Sequence, residues 1–237
     1  MRVSETPGFI LHSRSFSESS SIVDVFTRDY GRIGLVARGA RAAKSRWRGL
    51  LQPFRQLDFS WSKRSALGTL TGLDMDVGWP ELSGTTLYCG LYLNELLMRL
   101  SRDEDPDIDL YQAYGRAIHE LSALSDPRLA LRRFEKQLLQ SLGFALPLEY
   151  QCHAGQQGEE LVKAGHYYTF DPRLGPTRCH GSAGRDVFSG ELLLALSIDD
   201  YSNPHWLPQM RRLLQAAIKT QLGGRELASQ KMLRKLL

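Results

Sequence analysis

The sequence is poor in cysteine and contains no long uninterrupted hydrophobic run. Its three cysteines, Cys89, Cys152 and Cys179, cannot all pair within one chain. This count argues against a disulfide scaffold and favours free thiols in a reducing compartment. The most apolar stretch, residues 87–100, is interrupted by an asparagine, a glutamate and an arginine, which makes it too polar for a membrane span of roughly 20 residues. We therefore expect no membrane segment.

Signals for export and for catalysis are also lacking. Residues 1–16 contain no apolar block with a basic front and a small-residue cleavage site, so we expect a cytoplasmic protein. The sequence has no Gly-x-Ser-x-Gly elbow, no Gly-x-x-x-x-Gly-Lys-Ser/Thr phosphate loop and no His-Glu-x-x-His motif. We predict neither an enzyme nor a bound cofactor.

Acidic residues are scarce in two segments where positive charge is concentrated. The formal net charge is only +4, but residues 28–64 contain ten Lys or Arg against two acids, and residues 211–237 contain seven against one. An acidic run at 103–109 lies between them and is interpreted as a solvated loop between helices rather than a metal site. This uneven distribution favours a polyanionic partner more strongly than the net charge does.

The first eighty or so residues are typical of a small β-barrel. Asp29 and Gly31 are suited to a tight turn between two of the predicted strands. The runs with the composition or alternation of strands are residues 9–16, 22–27, 33–37, 50–61 and 68–77. Five short strands in about 80 residues favour a five-stranded oligonucleotide-binding (OB) barrel.

Helical periodicity begins after residue 80. The third predicted helix is preceded by Asp126 and Pro127, a capping residue and a first-turn proline, and Gly143 ends it. The segments with apolar residues at helical spacing are 84–102, 108–124, 129–142, 189–196, 207–222 and 226–237.

Residues 151–186 fit neither pattern, since they are rich in glycine and contain one short strand-like run at 167–170. We interpret them as an inserted loop or small β module. The predicted fold class is α+β with several domains. Their bounds are 1–80 for the barrel, 81–150 with 187–237 for an all-helical domain, and 151–186 for the insertion.

The strongest functional signal is a basic loop at 38–48 (RGARAAKSRWR), which has five cations and no acid. A loop of small and basic residues between strands can follow a phosphate backbone, and each neutralised phosphate releases counterions. We therefore expect this loop to contact nucleic acid. The alternative is a solvated loop that binds nothing specific.

Trp47 lies in this loop between Arg46 and Arg48. A polar loop offers no obvious core for an indole, so we predict that Trp47 stacks on unpaired bases. Aromatic residues on the predicted strands, such as Phe59 and Trp61, are interpreted as core residues instead.

Two adjacent arginines, Arg132 and Arg133, lie beside Leu131 and Phe134 on the third predicted helix. Such a pair can clamp the terminal carboxylate of a partner while the apolar side chains take its hydrophobic residues. The alternative is an ordinary amphipathic helix whose arginines face water or pair with nearby acids.

Cys152 and Cys179 are each followed by a histidine, a combination that suggests structural zinc. Neighbouring side chains on an extended backbone point to opposite sides, however, and reach one tetrahedral ion poorly. We therefore predict no metal.

Several segments together resemble the RecO proteins of γ-proteobacterial type, a family of bacterial DNA repair and recombination mediators. The similarity covers nearly the whole chain, and the order and spacing of the segments make it specific. They are FILHSR at 9–14, DVFT at 24–27, GR at 31–32, LVARGAR at 35–41, LQPF at 51–54, LYCGLYLNELL at 87–97, LRRFE at 131–135, LGG at 222–224 and SQKML at 229–233.

The resemblance implies an N-terminal OB barrel, a helical domain and a zinc-ribbon-like insertion. It also implies binding of single- and double-stranded DNA, annealing of complementary strands, and cooperation with RecR in loading RecA, all without ATP hydrolysis and in association with the nucleoid. We assign the acidic C-terminal tail of single-strand-binding protein to Leu131, Arg132, Arg133 and Phe134. The residues expected to bind DNA are Arg14, Arg32, Arg38, Arg41, Lys44, Arg46, Trp47, Arg48, Lys63 and Arg64.

One departure from the family concerns the insertion. Many members carry two Cys-x-x-Cys pairs, whereas this chain has Gly155 and Ser182 at the second positions and keeps only Cys152 and Cys179.

Two other functions stay open from the residues alone. One is a generic OB-fold protein that binds RNA or single strands, because a barrel does not by itself distinguish the sugar. The other is a metal-dependent nuclease that uses the acidic or Cys-His residues.

Overall fold

The structure, a computed structural model, describes residues 1–47, 49–75, 81–123, 126–153, 156–181, 184 and 186–236. The strands of the first part are β1 (Arg2–Phe16), β2 (Ser20–Thr27), β3 (Gly31–Ala37), β4 (Gln56–Lys63) and β5 (Gly68–Met75). Three helices follow, α1 (Gly84–Leu100), α2 (Ile108–Ala123) and α3 (Pro127–Ser141). The later elements are β6 (Tyr150–His153), β7 (Gln156–Leu161), β8 (Tyr167–Asp171), β9 (Gly175–Cys179), β10 (Val187–Ser189), α4 (Gly190–Ser197), α5 (Leu207–Gln221) and α6 (Ala228–Leu233).

The chain divides into two compact units, Met1–Pro127 with Leu227–Leu237, and Arg128–Glu226. The first contains β1 to β5, α1, α2 and α6, and the second contains nearly all of α3, the five short strands, α4 and α5. The finer division into 1–80, 81–150 with 187–237, and 151–186 stays a prediction. In the described part of the chain, no helix is both long enough and apolar enough to span a membrane.

The first five strands form a closed barrel in the order β1-β2-β3-β5-β4. Neighbouring strands are antiparallel except β3 and β5, which run parallel and pair only at Leu35 with Gly68 and at Val36 with Thr69. Alternate residues of β3 and β4 are buried, and they form one core inside the barrel that includes Trp61. The predicted fold class, a five-stranded barrel followed by a helical region, is confirmed.

Two strands begin at positions other than those predicted. β1 begins at Arg2 rather than residue 9, because the register of β1 against β4 shifts between Val3 and Thr6, where Glu5 has a φ of +53°. Such a bulge hides the strand from a search for strict alternation. β4 begins at Gln56 rather than residue 50, because the chain turns at 53–54 before it enters the strand.

Helices α1 and α2 cover the outer face of β1 and β2. Every residue of β2 is buried, since one face of the strand meets the barrel core and the other meets the helices. The rings of Phe9 and Phe26 lie against those of Tyr111 and Tyr114, and the centroids of Phe9 and Tyr114 are 4.9 Å apart in an edge-to-face arrangement. Aromatic packing therefore holds α2 on the barrel.

A buried asparagine connects α1 with both the barrel and α2. Asn94 Nδ2 donates a hydrogen bond of 2.8 Å to the carbonyl of Leu11, and Asn94 Oδ1 accepts one of 2.5 Å from the Tyr114 hydroxyl. The register between β1 and β2 shifts at Leu11, so the bulge leaves a carbonyl that the ladder does not use. Asn94 satisfies that carbonyl where water does not reach it.

The segment that contains α6 returns to α1 and is held there by one carboxylate. Glu95 accepts hydrogen bonds from the backbone amides of Ala228 (3.0 Å) and Ser229 (2.8 Å) and from the Ser229 hydroxyl (2.6 Å). Partial burial acts to raise the pKa of Glu95, but the bonds from Ser229 and Ala228, with the charge of Arg99, hold this pKa below its ordinary value. The carboxylate form is therefore the one that holds α6.

The second unit has its own core, in which Tyr168, Phe188, Leu192 and Met210 are fully or almost fully buried. Its strands form a β6-β7 hairpin and a three-stranded sheet in the order β10-β8-β9. Only the run at 167–170 was predicted here, because β6, β7 and β9 contain Gln, Gly and Pro where alternating apolar residues would mark a strand. The zinc-ribbon likeness of this module stays a prediction.

We expect Asn94→Ala to lower the free energy of unfolding by about 2–3 kcal/mol, since it leaves the buried Leu11 carbonyl and Tyr114 hydroxyl without their partner. Urea denaturation followed by circular dichroism measures this loss. Ser122→Ala, which removes an exposed side-chain bond to the His119 carbonyl, is the control and should change stability by less than about 0.5 kcal/mol. Equal effects of the two substitutions would contradict the role given to Asn94.

Acidification should release α6 from α1 before the rest of the first unit unfolds. A pKa that folding lowers gives stability above the unfolded-state value of about 4.3, and this stability is lost as pH falls through the lower folded-state pKa. The protection of residues 227–236 against hydrogen exchange, taken relative to the intrinsic rate at each pH, should therefore fall below about pH 4. Glu95→Gln should show low protection at every pH, and high protection in that variant would refute the assignment.

Candidate nucleic-acid interface

A basic cleft of about 760 Å³ opens on the barrel. Three arginines and four hydroxyl side chains line it, and no carboxylate does so among the residues that the structure describes. The lining arginines are Arg2, Arg38 and Arg64, and the hydroxyl residues are Ser62, Ser65, Thr69 and Thr71. We call this group of residues the basic cleft.

Strand ends bring the three arginines together. Arg2 opens β1 and pairs with Ser62 of β4, Arg64 follows β4 directly, and Arg38 follows β3 directly. The terminal ammonium of Met1 donates a 3.0 Å hydrogen bond to the Lys63 carbonyl, which fixes the start of β1 beside the end of β4. Arg38 and Arg64 were predicted from the sequence, whereas Arg2 was missed.

Arg46 lies at the rim of the basic cleft. Its guanidinium donates a 3.2 Å hydrogen bond to the carbonyl of Thr71, a lining residue, and stacks 4.1 Å from the centroid of the Trp47 ring. The bonding and the stacking both fix the direction of this exposed cation. Arg46 therefore adds a fourth positive charge to the edge of the cleft.

The expectation that Trp47 has no core to enter is wrong. Its side chain is only 4% exposed and belongs to the barrel core, and its Nε1 donates a 3.1 Å hydrogen bond to the carbonyl of Arg38. The indole thus closes the barrel beneath the basic loop, and it presents no free face to a base. Stacking on DNA by Trp47 stays a prediction, but burial speaks against it.

The basic loop is also anchored on its far side. Arg41 donates from its backbone amide to the Ser19 carbonyl (2.8 Å) and from its guanidinium to the Ser17 carbonyl (3.2 Å). Lys44 is exposed to solvent. Arg48 lies outside the described residues. The described part of the loop is therefore a folded series of turns rather than an open chain, and its four described cations, Arg38, Arg41, Lys44 and Arg46, are exposed.

Arg14 lies away from the cleft, on the β1–β2 hairpin. Its guanidinium is 3.5 Å from the Asp24 carboxylate, which also lies 3.6 Å from Nδ1 of His12. About half of the Arg14 side chain is exposed. The structure does not bring this predicted residue together with Arg38 and Arg64.

Arg32 and Lys63 are bound by the acidic run between α1 and α2. Arg32 Nη2 lies 2.8 Å from Asp103 Oδ1, and the Lys63 ammonium pairs with Glu104. Only 14% and 17% of the two cationic side chains are exposed. Residues 103–107 form a largely exposed connection between α1 and α2, as the interpretation of a solvated interhelical loop predicts, and the first two of them also hold both cations in ion pairs.

The two arginines of α3 have different surroundings. Arg132 is buried and forms a 2.7 Å ion pair with Glu135, which is also buried, as the alternative interpretation of this helix proposed. Arg133 is exposed, and its guanidinium lies 5.5 Å from the centroid of the Tyr201 ring. Leu131 and Phe134 are buried in the second unit, so Arg133 alone of the four assigned residues reaches the surface.

The two cysteines of the insertion differ in solvent exposure. Cys152 is buried, whereas Cys179 is partly exposed, with its Sγ 3.6 Å from the Gly181 carbonyl. No group of three or more His, Cys, Asp or Glu side chains in the described part of the chain is arranged to hold a metal ion. Gly155 and Ser182 lie outside the described residues.

We expect Trp47→Ala to lower the free energy of unfolding by about 3–5 kcal/mol, because it leaves a cavity in the barrel core. Trp47→Phe, which fills most of that space but lacks the indole N–H, should lose less. Urea denaturation of both variants measures the difference. A base-stacking residue would behave in the opposite way, since its truncation would leave stability unchanged and reduce only the affinity for single strands.

Comparisons with known proteins agree with this architecture. The model "Recombination protein O N terminal" matches residues 1–75, and "Recombination protein O C terminal" matches residues 82–231. The DNA repair protein RecO of Alkalilimnicola ehrlichii is 41% identical over 99% of this chain and 92% of its own. Those of Azoarcus sp. (38% identical, covering 100% and 97%) and Dechloromonas aromatica (37%, covering 99% and 97%) are similar over the same extent. The chain therefore belongs to the recombination protein O (RecO) family of DNA repair proteins.

Proposed function

We propose that this protein is a non-catalytic recombination mediator that binds single- and double-stranded DNA through the basic cleft. The observation that carries the proposal is the meeting of Arg2, Arg38 and Arg64 in a concave surface that no described carboxylate lines. Three uncompensated cations with hydroxyl donors between them suit a row of phosphates, because arginine binds phosphate oxygens through paired N–H donors.

The geometry of the cleft favours contact with the DNA backbone over contact with bases. Its lining is arginine, serine and threonine apart from Met1 and Leu67. Trp47 is buried in the barrel core. Backbone contacts position a strand without reading its sequence. A strand held by its phosphates keeps its bases free, which is what pairing with a complementary strand requires. We therefore propose that the protein anneals complementary strands without ATP.

We propose that α3 contacts the acidic C-terminal tail of single-strand-binding protein at Arg133. The Arg133 guanidinium is exposed over the Tyr201 ring, so it lies at the surface where a terminal carboxylate would approach α3. Arg132, paired with the buried Glu135, then acts inside the helix rather than on the partner. Cooperation with RecR in loading RecA completes the proposed role, and it rests on membership of the family.

Replacing Arg2, Arg38 and Arg64 together with serine should weaken binding of a single-stranded oligonucleotide and flatten its dependence on salt. With about 0.7 units of log–log slope per neutralised phosphate, the slope should fall by about 2. Fluorescence anisotropy from 50 to 300 mM salt measures both quantities.

The matched control replaces Arg116, Arg173 and Arg225, which are exposed and lie outside the basic cleft, with serine and removes the same charge. An equal loss of slope in the control would mean that net charge, and not the cleft, drives binding.

Arg133→Ala should spare annealing of bare strands and slow annealing of strands coated with single-strand-binding protein. Deleting the acidic tail of that protein should abolish the difference between wild type and variant. Arg132→Ala is a poor substitute, because breaking the buried ion pair with Glu135 would destabilise the fold by about 3–5 kcal/mol. Slower annealing on both substrates would assign Arg133 to DNA instead of the tail.

A further inference from the structure

The acidic run between α1 and α2 covers an edge of the barrel that the sheet leaves open. Because β3 pairs with β5 only at Leu35 and Val36, the first half of β3 has no partner from β5 on that side. The backbone amide of Glu104 donates a 2.9 Å hydrogen bond to the Arg32 carbonyl, and Asp103 forms a parallel bridge with Arg32. The run therefore docks on β3 as a short extra strand.

Close contact at the β2–β3 turn fixes where the run lies. Gly31 has a φ of +64°, and a Cβ on it would lie 2.4 Å from the carbonyl oxygen of Asp105. No other residue type fits at this approach, since both the conformation and the space exclude a side chain. The carboxylates of Asp103 and Glu104 are thereby placed opposite the barrel cations.

The two carboxylates neutralise two cations of the barrel. The Arg32 guanidinium lies 2.8 Å from Asp103, and the Lys63 ammonium pairs with Glu104. Lys63 is joined by backbone hydrogen bonds to Met1 and precedes Arg64, which lines the basic cleft. Lys63 thus lies next to the proposed DNA site, Arg32 lies at the start of β3, and the ion pairs neutralise both charges.

We propose that Arg32 and Lys63 form a latent phosphate-binding site, which Asp103 and Glu104 mask as an intramolecular competitor of DNA. The proposal rests on the proposed function of the basic cleft. Asp103 and Glu104 are 73% and 56% exposed, whereas the side chains of Arg32 and Lys63 are 14% and 17% exposed, so water screens these ion pairs only from the carboxylate side. The carboxylates belong to the same chain as the cations, and a phosphate must displace them before it can bind there.

The test compares two double variants of equal charge. Asp103→Asn with Glu104→Gln removes the masking carboxylates but keeps side-chain size and the backbone bond to Arg32. Asp105→Asn with Asp109→Asn removes two acids of the same run that form no ion pair in the described part of the chain. Asp107 is left in place in both, because its carboxylate accepts from the Leu110 amide at the start of α2.

Unmasking should steepen the log–log salt slope of single-strand binding by about 1.4, which is about 0.7 for each freed cation. The gain in affinity over wild type should then shrink about sevenfold between 50 and 200 mM salt. The control should show no steeper slope than wild type. Equal steepening in both variants would overturn the proposal in favour of a general effect of net charge, and no steepening in either would overturn it outright.

A second measurement tests, in the absence of DNA, whether Asp103 and Glu104 shield the Lys63 amine. The Lys63 amine should react several-fold faster with an N-hydroxysuccinimide ester in the unmasked variant than in wild type or the control, as read by peptide mass spectrometry. Unchanged reactivity overturns the mask. If the three cleft arginines prove necessary for binding while the unmasked variant behaves as the control, the mask fails and the proposed function stands. Absence of binding by every form overturns both.

Discussion

The arrangement of the whole first unit depends on the small number of residue pairs between β3 and β5. Two residue pairs, at Leu35 and Val36, close the barrel. Because only these two pairs join β3 to β5, the part of β3 before Leu35 has an open edge, and the chain after Val36 separates from β5. The acidic run fills the open edge at Arg32, while the chain that leaves β3 carries Arg38 to the basic cleft and Trp47 into the core. One parallel contact thus separates a neutralised side of the barrel from a positively charged side.

Buried polar contacts then fix the helices on this barrel. The bulge in β1 leaves the Leu11 carbonyl outside the ladder, where Asn94 donates to it, and the Tyr114 hydroxyl in turn donates to Asn94. Aromatic packing at Phe9 holds α2 on the barrel without fixing its orientation. The hydrogen bonds of Asn94, in contrast, form in only one arrangement of α1 and α2. The position of the acidic run follows from that of the two helices it joins, so Asn94 also sets where Asp103 meets Arg32.

Much of the fold was readable from the sequence, and the errors have a common physical origin. Alternation marked the barrel strands, and helical periodicity marked the helices, because both patterns are local. The contacts that the sequence did not reveal depend on distant partners: Lys63 pairs with an acid 41 positions away, and Trp47 is buried only because the barrel closes beneath its loop. Arg2 was missed because nothing local distinguishes it, and its role in the cleft exists only through the pairing of β1 with β4. Local charge density therefore predicted Arg38 and Arg64 of the basic cleft, but not Arg2.

The return of α6 to α1 has a consequence for synthesis. Ser229 lies 134 positions from Glu95, its partner, and the entire second unit is translated between them. Chains emerge from the ribosome at about 5–20 residues per second and fold from the N-terminus. For several seconds the nascent first unit therefore holds the Glu95 carboxylate and the α1 surface without their covering segment. During that interval a chaperone can recognise the same surface that α6 covers in the finished molecule.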